Sequence, residues 1–404
     1  MRRFYILIGM LIAVTALVAV LLVVNRPDPE YPSVTALWVT RFDYATVDDV
    51  HAIIDNVGRA GFTDVFFQIR GNATAYYRSE LEPWAYELSG SRPDLLGEDP
   101  GWDPLQTAID VAESYGLRVH AYMNVLPGWK GTVSPPELAR QLWTEHPDWF
   151  MVDSLGCKML PTSGWYAFLN PVLPEVRQHL RGIVKELCRY DVAGIHLDYI
   201  RYPYDYRLVA GQHYPEASKD ELLRHSDFSY DSASQAALFH RYGWDVTKEQ
   251  IADFRRNSIT KVVRDISYIM QVERPGSSIL SASVLGNPVE GRAYAYQDSG
   301  DWIRRGLVDW AVQMNYGTRS FDRYLENMRM AAGKKGFASS VVVGINLKND
   351  IADLLGQIEA VRASGSRGMA FFSYDFLFDD QHRPTEKGRV LLNRIGASET
   401  IQER

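Results

Sequence analysis

The carboxylate of Asp198 is the group best placed to do chemistry in this chain. It ends an apolar stretch within the string GIHLDYIRYP, residues 194–203. A carboxylate at the end of a buried strand is costly unless it is paired or used in function. Arg201 is the available structural partner, but Tyr199 and Tyr202 would crowd the same carboxylate in a cleft. We therefore assign Asp198 as the first candidate catalytic residue.

Polar side chains also collect at the ends of other predicted strands. Side chains alternate between the two faces of a strand, so residues two apart share a face. Five predicted strands carry such polar groups near their carboxyl ends, and these are Gln68 and Arg70, then His120, Tyr122 and Asn124, then His196 and Asp198, then Gln313 and Asn315, and finally Ser373, Tyr374 and Asp375. Each alone can be explained as a hydrogen-bonded structural group, but the recurrence over five strands indicates a site.

The elements that position these residues follow a regular alternation. From residue 34 onwards, short β-rich runs alternate with helical patterns, which is typical of parallel βα units. Eight such runs predict an α/β fold, a (β/α)8 TIM barrel, with a doubly wound sheet as the alternative. Two long insertions, about 130–172 and 202–250, are expected on the C-terminal face, where barrel active sites form. The predicted strands are 35–40, 64–69, 117–125, 193–200, 279–285, 308–315, 340–345 and 368–373.

Several stretches of the chain resemble one known family. They are ALWVTRFDY, RVHAYMNV, HPDWF, GIHLDYIRYP, FRRNSITKVV, YQDSGDWIRRGLVDWAVQMNY and GMAFFSYD, in this order over roughly residues 34–380. Together they are similar to the glycosyl-hydrolase-like family 10. The resemblance implies a TIM-barrel glycoside hydrolase that acts on extracellular or cell-envelope polysaccharide. Many relatives carry two successive acids at the end of strand four, whereas here Asp198 is followed by Tyr199.

Glycoside hydrolysis usually needs two carboxyl groups that flank the scissile bond. Asp298 is our first choice for the second group, because it follows strand five and matches an acid that looks typical of the family. Its alternative role is to cap the helix that begins near Asp301. No acid closely follows strand seven, which argues against a nucleophile there. The other candidates for the second carboxylate are Asp43, Glu290, Glu82 and Asp375.

The remaining polar groups at strand ends are assigned to substrate binding. Arg41, Arg70 and Arg201 can meet carboxylates of an acidic glycan, since arginine suits bidentate carboxylate binding. Alternatively, these arginines pair with Asp43 and Asp198 inside the barrel. The tryptophans of the first insertion, Trp129, Trp143, Trp149 and Trp165, suggest a long cleft. The full substrate-binding set is Asp43, Arg70, His120, Asn124, His196, Tyr199, Arg201, Gln313, Asn315, Tyr374 and Asp375.

The sequence predicts neither a metal nor a cofactor. It contains no CxxC or HxH motif and no glycine-rich phosphate loop. His120, His196 and Asp198 can in principle form a weak metal site, but we favour a hydrogen-bonding role for them. The two cysteines, Cys157 and Cys188, are either paired or free thiols.

The beginning of the chain predicts export. Two arginines precede an uninterrupted apolar run, Phe4–Val24, which is long enough to span a bilayer. We predict a signal anchor over 1–26, a Pro-rich linker over 27–33, a barrel over 34–390 and a tail over 391–404, with the barrel outside the cytoplasm. A cleaved signal peptide is the alternative.

The amino-acid composition and net charge limit the classes of partner that the chain can bind. A formal net charge of -7 argues against nucleic acid, which requires clustered basic residues. The 10 Trp, 23 Tyr and 16 Phe suit either a sugar-stacking cleft or a large core. We expect a hydrolase that cleaves an envelope polysaccharide, with peptidoglycan strands the leading candidate, or else a glycan-binding protein without activity.

Overall fold

The computed structural model describes residues 33–276 and 278–395. Eight parallel strands form a closed barrel in the order β1-β10-β9-β8-β7-β6-β3-β2, which confirms the predicted (β/α)8 architecture. Strands β4 and β5 form a separate antiparallel pair. The strands are β1 Val34–Val39, β2 Asp64–Arg70, β3 Arg118–Asn124, β4 Pro127–Lys130, β5 Tyr166–Phe168, β6 Gly194–Asp198, β7 Ile279–Leu285, β8 Trp310–Met314, β9 Val341–Asn346 and β10 Gly368–Phe372.

Helices begin where the local sequence supplies caps. Thr46 and Asp49 form a reciprocal capping box at the start of α1, and Asp103 caps α2 ahead of Pro104. The helix Phe321–Ser340 (α10) contains a break at Gly333, where φ is 73°. The helices are α1 Val47–Arg59, α2 Pro104–Glu113, α3 Leu142–Glu145, α4 Pro174–Leu187, α5 Lys219–Arg224, α6 Ser232–Tyr242, α7 Lys248–Glu273, α8 Pro288–Glu290, α9 Ser299–Arg304, α10 Phe321–Ser340, α11 Ile351–Ser364 and α12 Glu386–Ile395.

The alternation of side chains along the strands divides the core into two layers. Residues such as Val65 and Ile195 point outward and pack in the large cluster between strands and helices. Residues of the opposite parity, such as Trp38, Phe66 and Tyr122, fill the inside of the barrel. The predicted facing of the strands is therefore correct, although the barrel interior is largely aromatic and not mainly polar.

The loops after β2, β3 and β6 are long, and all three follow carboxyl ends of strands. Two of them match the predicted insertions, but the loop between Arg70 and α2 was not predicted as one. The side-chain amide of Gln141 donates to the carbonyl oxygens of Asn72 and Gly128, at 2.9 and 2.7 Å, and so ties the loops after β2 and β3 together.

The last helix extends the barrel domain beyond the predicted boundary at residue 390. Helix α12 runs to Ile395, and its Leu391 and Leu392 are buried in the core. The predicted anchor, Phe4–Val24, and the linker up to residue 32 lie outside the described residues. No helix within residues 33–276 and 278–395 has the length and apolar character that a membrane span requires.

Candidate active site

A cavity of about 830 Å³ opens at the carboxyl ends of the barrel strands. Its walls come from the segments that follow β1, β2, β6 and β10, from the end of β3 and from Tyr166 of β5. This is the face on which barrel enzymes place their catalytic groups. The residues of this wall that matter below are Arg41, Asp43, Tyr122, Asn124, Tyr166, Tyr199, Tyr374 and Asp375.

Asp198 lies immediately behind two residues of the cavity wall. Its Oδ2 accepts a hydrogen bond from the Tyr122 hydroxyl at 3.0 Å, and its Oδ1 accepts from the backbone N–H of Tyr199 at 2.6 Å. Arg201 Nη1 donates to the same Oδ1 at 3.2 Å, so the structural pairing considered from the sequence is present. The residue is 8% exposed. These donors and the guanidinium hold the carboxyl group in place just behind the cavity lining.

Tyr199 turns the chain sharply after Asp198. Its φ of 50° is in the left-handed region, which costs a non-glycine residue about 1–2 kcal/mol. Edge contacts with Trp165, Tyr166 and Phe168, at centroid distances of 6.2, 5.4 and 6.0 Å, hold its ring in place. The turn thereby presents an aromatic side chain to the cavity beside the buried carboxylate.

Asp43 is the carboxyl group with the most perturbed environment in the cavity. Burial and, to a smaller extent, the nearby charge of Asp375 raise the pKa of Asp43 to about 7. Two hydrogen bonds from Thr40, by its backbone N–H at 2.5 Å and its hydroxyl at 3.0 Å, oppose the rise. Asp43 therefore carries a proton in a large fraction of molecules at neutral pH.

The loop after β10 contributes Tyr374 and Asp375. Asp375 Oδ1 accepts a hydrogen bond from the hydroxyl of Ser373. The Tyr374 hydroxyl accepts a hydrogen bond from Asn56 Nδ2 at 3.0 Å and contacts His382 Nδ1 at 3.1 Å. Asp375 thus faces the cavity as a second carboxyl group, whereas the hydroxyl of Tyr374 is already bonded to α1 and to its own loop.

The three arginines have different surroundings. Arg201 pairs with Asp198, and Arg70 is fully buried in a bidentate pair with Glu82, at 2.7 and 2.6 Å. Arg41 instead donates to the hydroxyl of Tyr166 at 3.1 Å, and its buried Nε has no hydrogen-bond partner. Within the described residues, Arg41 has no carboxylate at salt-bridge distance, so the predicted pairing with Asp43 does not occur.

Glu82 and Arg70 are removed from the cavity by their mutual pairing. Burial opposes ionisation of Glu82, but Arg70 and a hydrogen bond with His179 hold the pKa of that carboxyl at about 2. Arg70 also donates to the carbonyl oxygen of Asn124. The structure therefore gives Arg70 a structural role, and it does not support the predicted contact with substrate.

The two predicted histidines lie below the cavity, inside the barrel. His120 contacts Asp64 at 2.8 Å, and His196 bonds with Ser281 at 2.8 Å. Trp38 Nε1 also donates to His196 Nε2 at 3.1 Å. Burial holds the pKa of His196 well below its usual value. Neither histidine has exposed surface, so the structure does not support their predicted role in substrate binding.

The register of β3 and β6 explains this difference in depth. Asn124 pairs with Asp198 at the top of the two strands, while His196 pairs one layer lower with Tyr122. His120 lies one further layer down, opposite Gly194. The three layers share a face. Asn124 of the top layer and Tyr122 of the middle layer reach the cavity, whereas the two histidines lie below it.

The amides of β8 also point away from the cavity. Gln313 Nε2 donates to Gly286 O at 2.7 Å, and Asn315 Nδ2 donates to Phe321 O at 2.9 Å. Both residues are completely buried and hold the following loops. The side chain of Asn124, in contrast, lines the cavity, and its buried Oδ1 has no hydrogen-bond partner.

Asp298, the predicted second carboxylate, caps a helix. It is the N-cap residue of α9, where its Oδ1 accepts from Asp301 N at 3.4 Å, and its Oδ2 accepts from Arg292 at 3.0 Å. It does not line the cavity. Glu290 lines a second cavity, of about 470 Å³, together with Tyr204 and other aromatic residues.

The tryptophans of the first insertion do not line the main cavity. Trp129 is buried in the main hydrophobic cluster, and Trp143, Trp149 and Trp165 pack against that cluster. Tyr166 is the aromatic residue of this insertion that reaches the cavity, and it was not predicted from the sequence as a site residue. Its position in the short strand β5 could have indicated this residue. A strand of three residues, however, has too few positions to show a recognisable alternation of side chains in the sequence.

A cluster of Asp153, Cys157 and His225 was also missed from the sequence. Their potential ligand atoms lie within 4.8 Å of one another, away from the main cavity. The sequence contains no metal-binding spacing motif for this cluster, because His225 lies in a different insertion from Asp153 and Cys157. Cys157 and Cys188 are both free thiols in the structure.

A closed (β/α)8 barrel with acidic groups at its C-terminal mouth defines the glycosidase-like class of barrel proteins. The chain belongs to the Glycosyl hydrolase-like 10 family, whose model matches residues 33–349. The family resemblance drawn from the sequence is thus confirmed.

Similar proteins agree with this assignment. The chain is 28% identical over 298 residues to glycosyl hydrolase DigH of Escherichia coli K12, a match that covers 67% of this chain and 58% of that protein. It is 25% identical over 289 residues to glycosyl hydrolase YngK of Bacillus subtilis, and there the match covers 67% of this chain and 49% of the relative. The chain therefore matches only about half of the length of these relatives.

Two solved structures share the fold at low identity. The glycoside hydrolase domain of PgaB from Bordetella bronchiseptica has a TM-score of 0.57 at 12% identity, and the alignment covers 91% of this chain and 100% of that one. The catalytic domain of β-amylase from Paenibacillus polymyxa has a TM-score of 0.57 at 10% identity, covering 90% and 98%. They establish the architecture of the barrel.

Proposed function

We propose that this protein is a glycoside hydrolase that uses Asp43 as proton donor and Asp198 as the charged carboxylate. The observation that carries the proposal is the difference between the two environments. Burial raises the pKa of Asp43 to about 7, so that a large fraction of this group carries a proton at neutral pH, whereas Asp198 contacts a guanidinium and two hydrogen-bond donors. Two carboxyl groups with such different surroundings suit the two different tasks that glycoside hydrolysis requires. The names of the relatives and the family membership support the same reaction class.

The two carboxyl groups have separate tasks in the reaction. Asp43 gives its proton to the oxygen of the scissile glycosidic bond, and so assists departure of the leaving sugar. Asp198 stabilises the positive charge that develops at the anomeric carbon. A water molecule then adds to that carbon and loses a proton, and Asp43 takes up a proton again for the next cycle. Its Oδ2 accepts one hydrogen bond, from Tyr122, and retains acceptor capacity for water or substrate. Asp43 thus takes the task that the sequence assigned to Asp298.

Cleavage by the purified full chain tests this assignment. Asp43→Asn and Asp198→Asn should each lower the production of reducing ends by about 10²- to 10⁴-fold. Asp298→Asn is the matched control, because asparagine also caps helices well and should leave activity near that of the native chain. Loss of activity in the Asp298 variant, with normal activity in the Asp43 variant, would overturn the proposal.

The proposed substrate is an acidic polysaccharide of the cell envelope, with peptidoglycan glycan strands the leading candidate. Arg41 supports an acidic substrate, because its buried guanidinium reaches the cavity without a carboxylate partner. In peptide-free glycan strands of peptidoglycan, the muramic acid carries a free carboxylate that could meet this guanidinium. Purified peptidoglycan, peptide-free glycan strands and neutral polysaccharides form the test panel. Cleavage of only the neutral polysaccharides would defeat this substrate assignment.

The proposed export brings the protein next to this substrate. We propose that Phe4–Val24 tethers the barrel on the outer side of the cytoplasmic membrane, on the basis of the apolar run behind two arginines. A C-terminal reporter that is active only outside the cytoplasm should give signal in the membrane fraction. A reporter signal confined to the cytoplasm would contradict both the tether and access to the wall.

A glycan-binding protein without activity is the second candidate. The ion pair between Asp198 and Arg201 favours it, since paired carboxylates also serve purely structural purposes. Under this alternative, wall glycans would bind the full chain tightly and no new reducing ends would appear. Asp198→Asn would then weaken folding, and neither the native chain nor the variant would produce new reducing ends.

A further inference from the structure

The cluster of Asp153, Cys157 and His225 joins the two largest insertions of the barrel. Asp153 and Cys157 belong to the loop after β3, and His225 belongs to the loop after β6. His225 Nδ1 and Asp153 Oδ2 are 2.7 Å apart, and the potential ligand atoms of all three residues lie within 4.8 Å of one another. None of the three lines the main cavity.

A tight turn fixes Asp153 beside Cys157. Asp153 Oδ1 accepts hydrogen bonds from the backbone N–H groups of Leu155 and Cys157, each at 2.9 Å. Gly156 has a φ of 78°, which a residue with a side chain rarely adopts, and this allows the chain to reverse between them. The backbone of this turn therefore holds the carboxylate of Asp153 in place and brings Cys157 beside it.

His225 is held just as firmly from the other insertion. It follows α5, where its backbone N–H donates to Glu221 O at 2.8 Å. The ring of Tyr214 stacks on its imidazole, with the centroids 3.5 Å apart and the planes 4° from parallel. Ser154 Oγ donates to Arg224 O at 3.1 Å and ties the turn to the end of this helix. The three groups thus form one prearranged site.

The chemistry of these groups is that of a zinc ligand set. Zinc is bound by thiolate, imidazole and carboxylate, with bonds of about 2.0–2.3 Å, which place tetrahedral ligands about 3.3–3.7 Å apart. Separations of up to 4.8 Å then require shifts of only about 1.5 Å. Calcium and magnesium prefer all-oxygen sites, so a thiol and an imidazole argue against them. Asp153 is 2% and His225 8% exposed, while the half-buried Cys157 leaves a route for the ion.

We propose that Asp153, Cys157 and His225 bind one zinc-like divalent cation, which clasps the two insertions together. The ion takes three ligands from the protein and one from water. On binding, the thiol releases its proton to solvent. His225 gives up the proton on Nδ1, which faces Asp153, and takes one from solvent on Nε2, so that Nδ1 of the neutral ring coordinates the ion. The Asp153–His225 hydrogen bond is replaced by two bonds to the metal. The site is independent of glycan cleavage.

Cobalt(II) is the probe that distinguishes this site from surface binding. The metal-stripped full chain is titrated with Co²⁺, whose thiolate bond gives a charge-transfer band in the near ultraviolet. We expect saturation at one equivalent per chain, displacement of Co²⁺ by Zn²⁺, and a thermal midpoint raised by Zn²⁺ but not by Mg²⁺. Cys157→Ser should abolish the band, and Cys188→Ser, the matched control for the other free thiol, should keep it.

A second variant guards against misfolding. His225→Gln should retain a folded barrel by circular dichroism and bind Co²⁺ at least about tenfold more weakly than the native chain. Absence of saturable binding at one equivalent would overturn the proposal. So would a charge-transfer band that disappears in the Cys188 variant but persists in the Cys157 variant. Because no readout involves glycan cleavage, failure of the proposed hydrolase activity would leave this result unaffected.

Discussion

Replacement of Asp43 by asparagine should lower activity and raise stability at the same time. The side chain of asparagine keeps an acceptor for the Thr40 backbone N–H and hydroxyl, so the local hydrogen bonds can persist. It cannot donate a proton to a leaving group. General acid catalysis contributes about 10²- to 10⁴-fold, so kcat/KM should fall by that factor.

The effect on stability follows from the pKa of Asp43. The pKa of this carboxyl rises from 3.8 in the unfolded chain to about 7 in the fold, which corresponds to at most about 4 kcal/mol. The folded state therefore favours the protonated form. That contribution is fully present below pH 3.8 and is lost as the pH rises through 7. Asparagine has no charge to bury, so the variant should be more stable than the native chain at pH 8 and similar to it at pH 4.

The two measurements are a pH profile of kcat/KM and urea unfolding at pH 4 and pH 8. In the native chain, kcat/KM should fall about tenfold per pH unit above pH 7, because Asp43 loses its proton. The variant should lack this dependence. Asp48→Asn, an exposed acid in the adjoining helix, is the control and should change neither quantity appreciably. A fully active Asp43 variant with an unaltered profile would refute the assignment.

Three further variants test the surrounding groups. Arg41→Gln should reduce kcat/KM on a carboxylated glycan by about 10- to 100-fold, because it removes a charge-assisted hydrogen bond to the substrate. The change should be mainly in KM, and cleavage of any neutral glycan should be little changed. Glu82→Gln should lower the free energy of unfolding by about 3–5 kcal/mol, because it leaves the charge of Arg70 buried and unpaired. In the native chain, the stability that comes from this pair should be lost as the pH falls from 4.5 to about 2. Acid unfolding monitored by circular dichroism would show this loss. Asp198→Asn should lower the thermal midpoint as well as activity, since Arg201 loses its counter-ion, and an unchanged midpoint would show that the pair contributes little.

Parity along the strands was predictable, but depth within the barrel was not. Alternation correctly placed His120, Asn124, His196 and Asp198 on the inward face, because the two-residue period is a local property of the chain. Which layer reaches solvent depends on how β3 and β6 pair and where the barrel interior fills with aromatic rings. The sequence therefore suggested substrate contacts for two histidines that are fully buried.

The choice of the second carboxylate shows the same limit. Asp298 was favoured because of its position after a strand and its likeness to the family, yet its side chain caps α9. Asp43 was among the candidates, but its raised pKa results from burial and from the charge of Asp375, which is 332 positions away along the chain. No local pattern encodes that proximity.

The sequence by itself determined the order of strands and helices, their caps, the family and the strand ends that carry polar groups. These features depend on periodicity, on turn and cap residues, and on runs of a few neighbouring positions. Only the tertiary structure decided which charged side chains are paired with an opposite charge and which remain available to a substrate. Arg70 pairs with Glu82, and Asp153 contacts His225 across 72 residues of chain, whereas Arg41 has no carboxylate at salt-bridge distance among residues 33–276 and 278–395. Burial and charge pairing depend on distances in space, and barrel closure sets those distances only after every strand has found its neighbours.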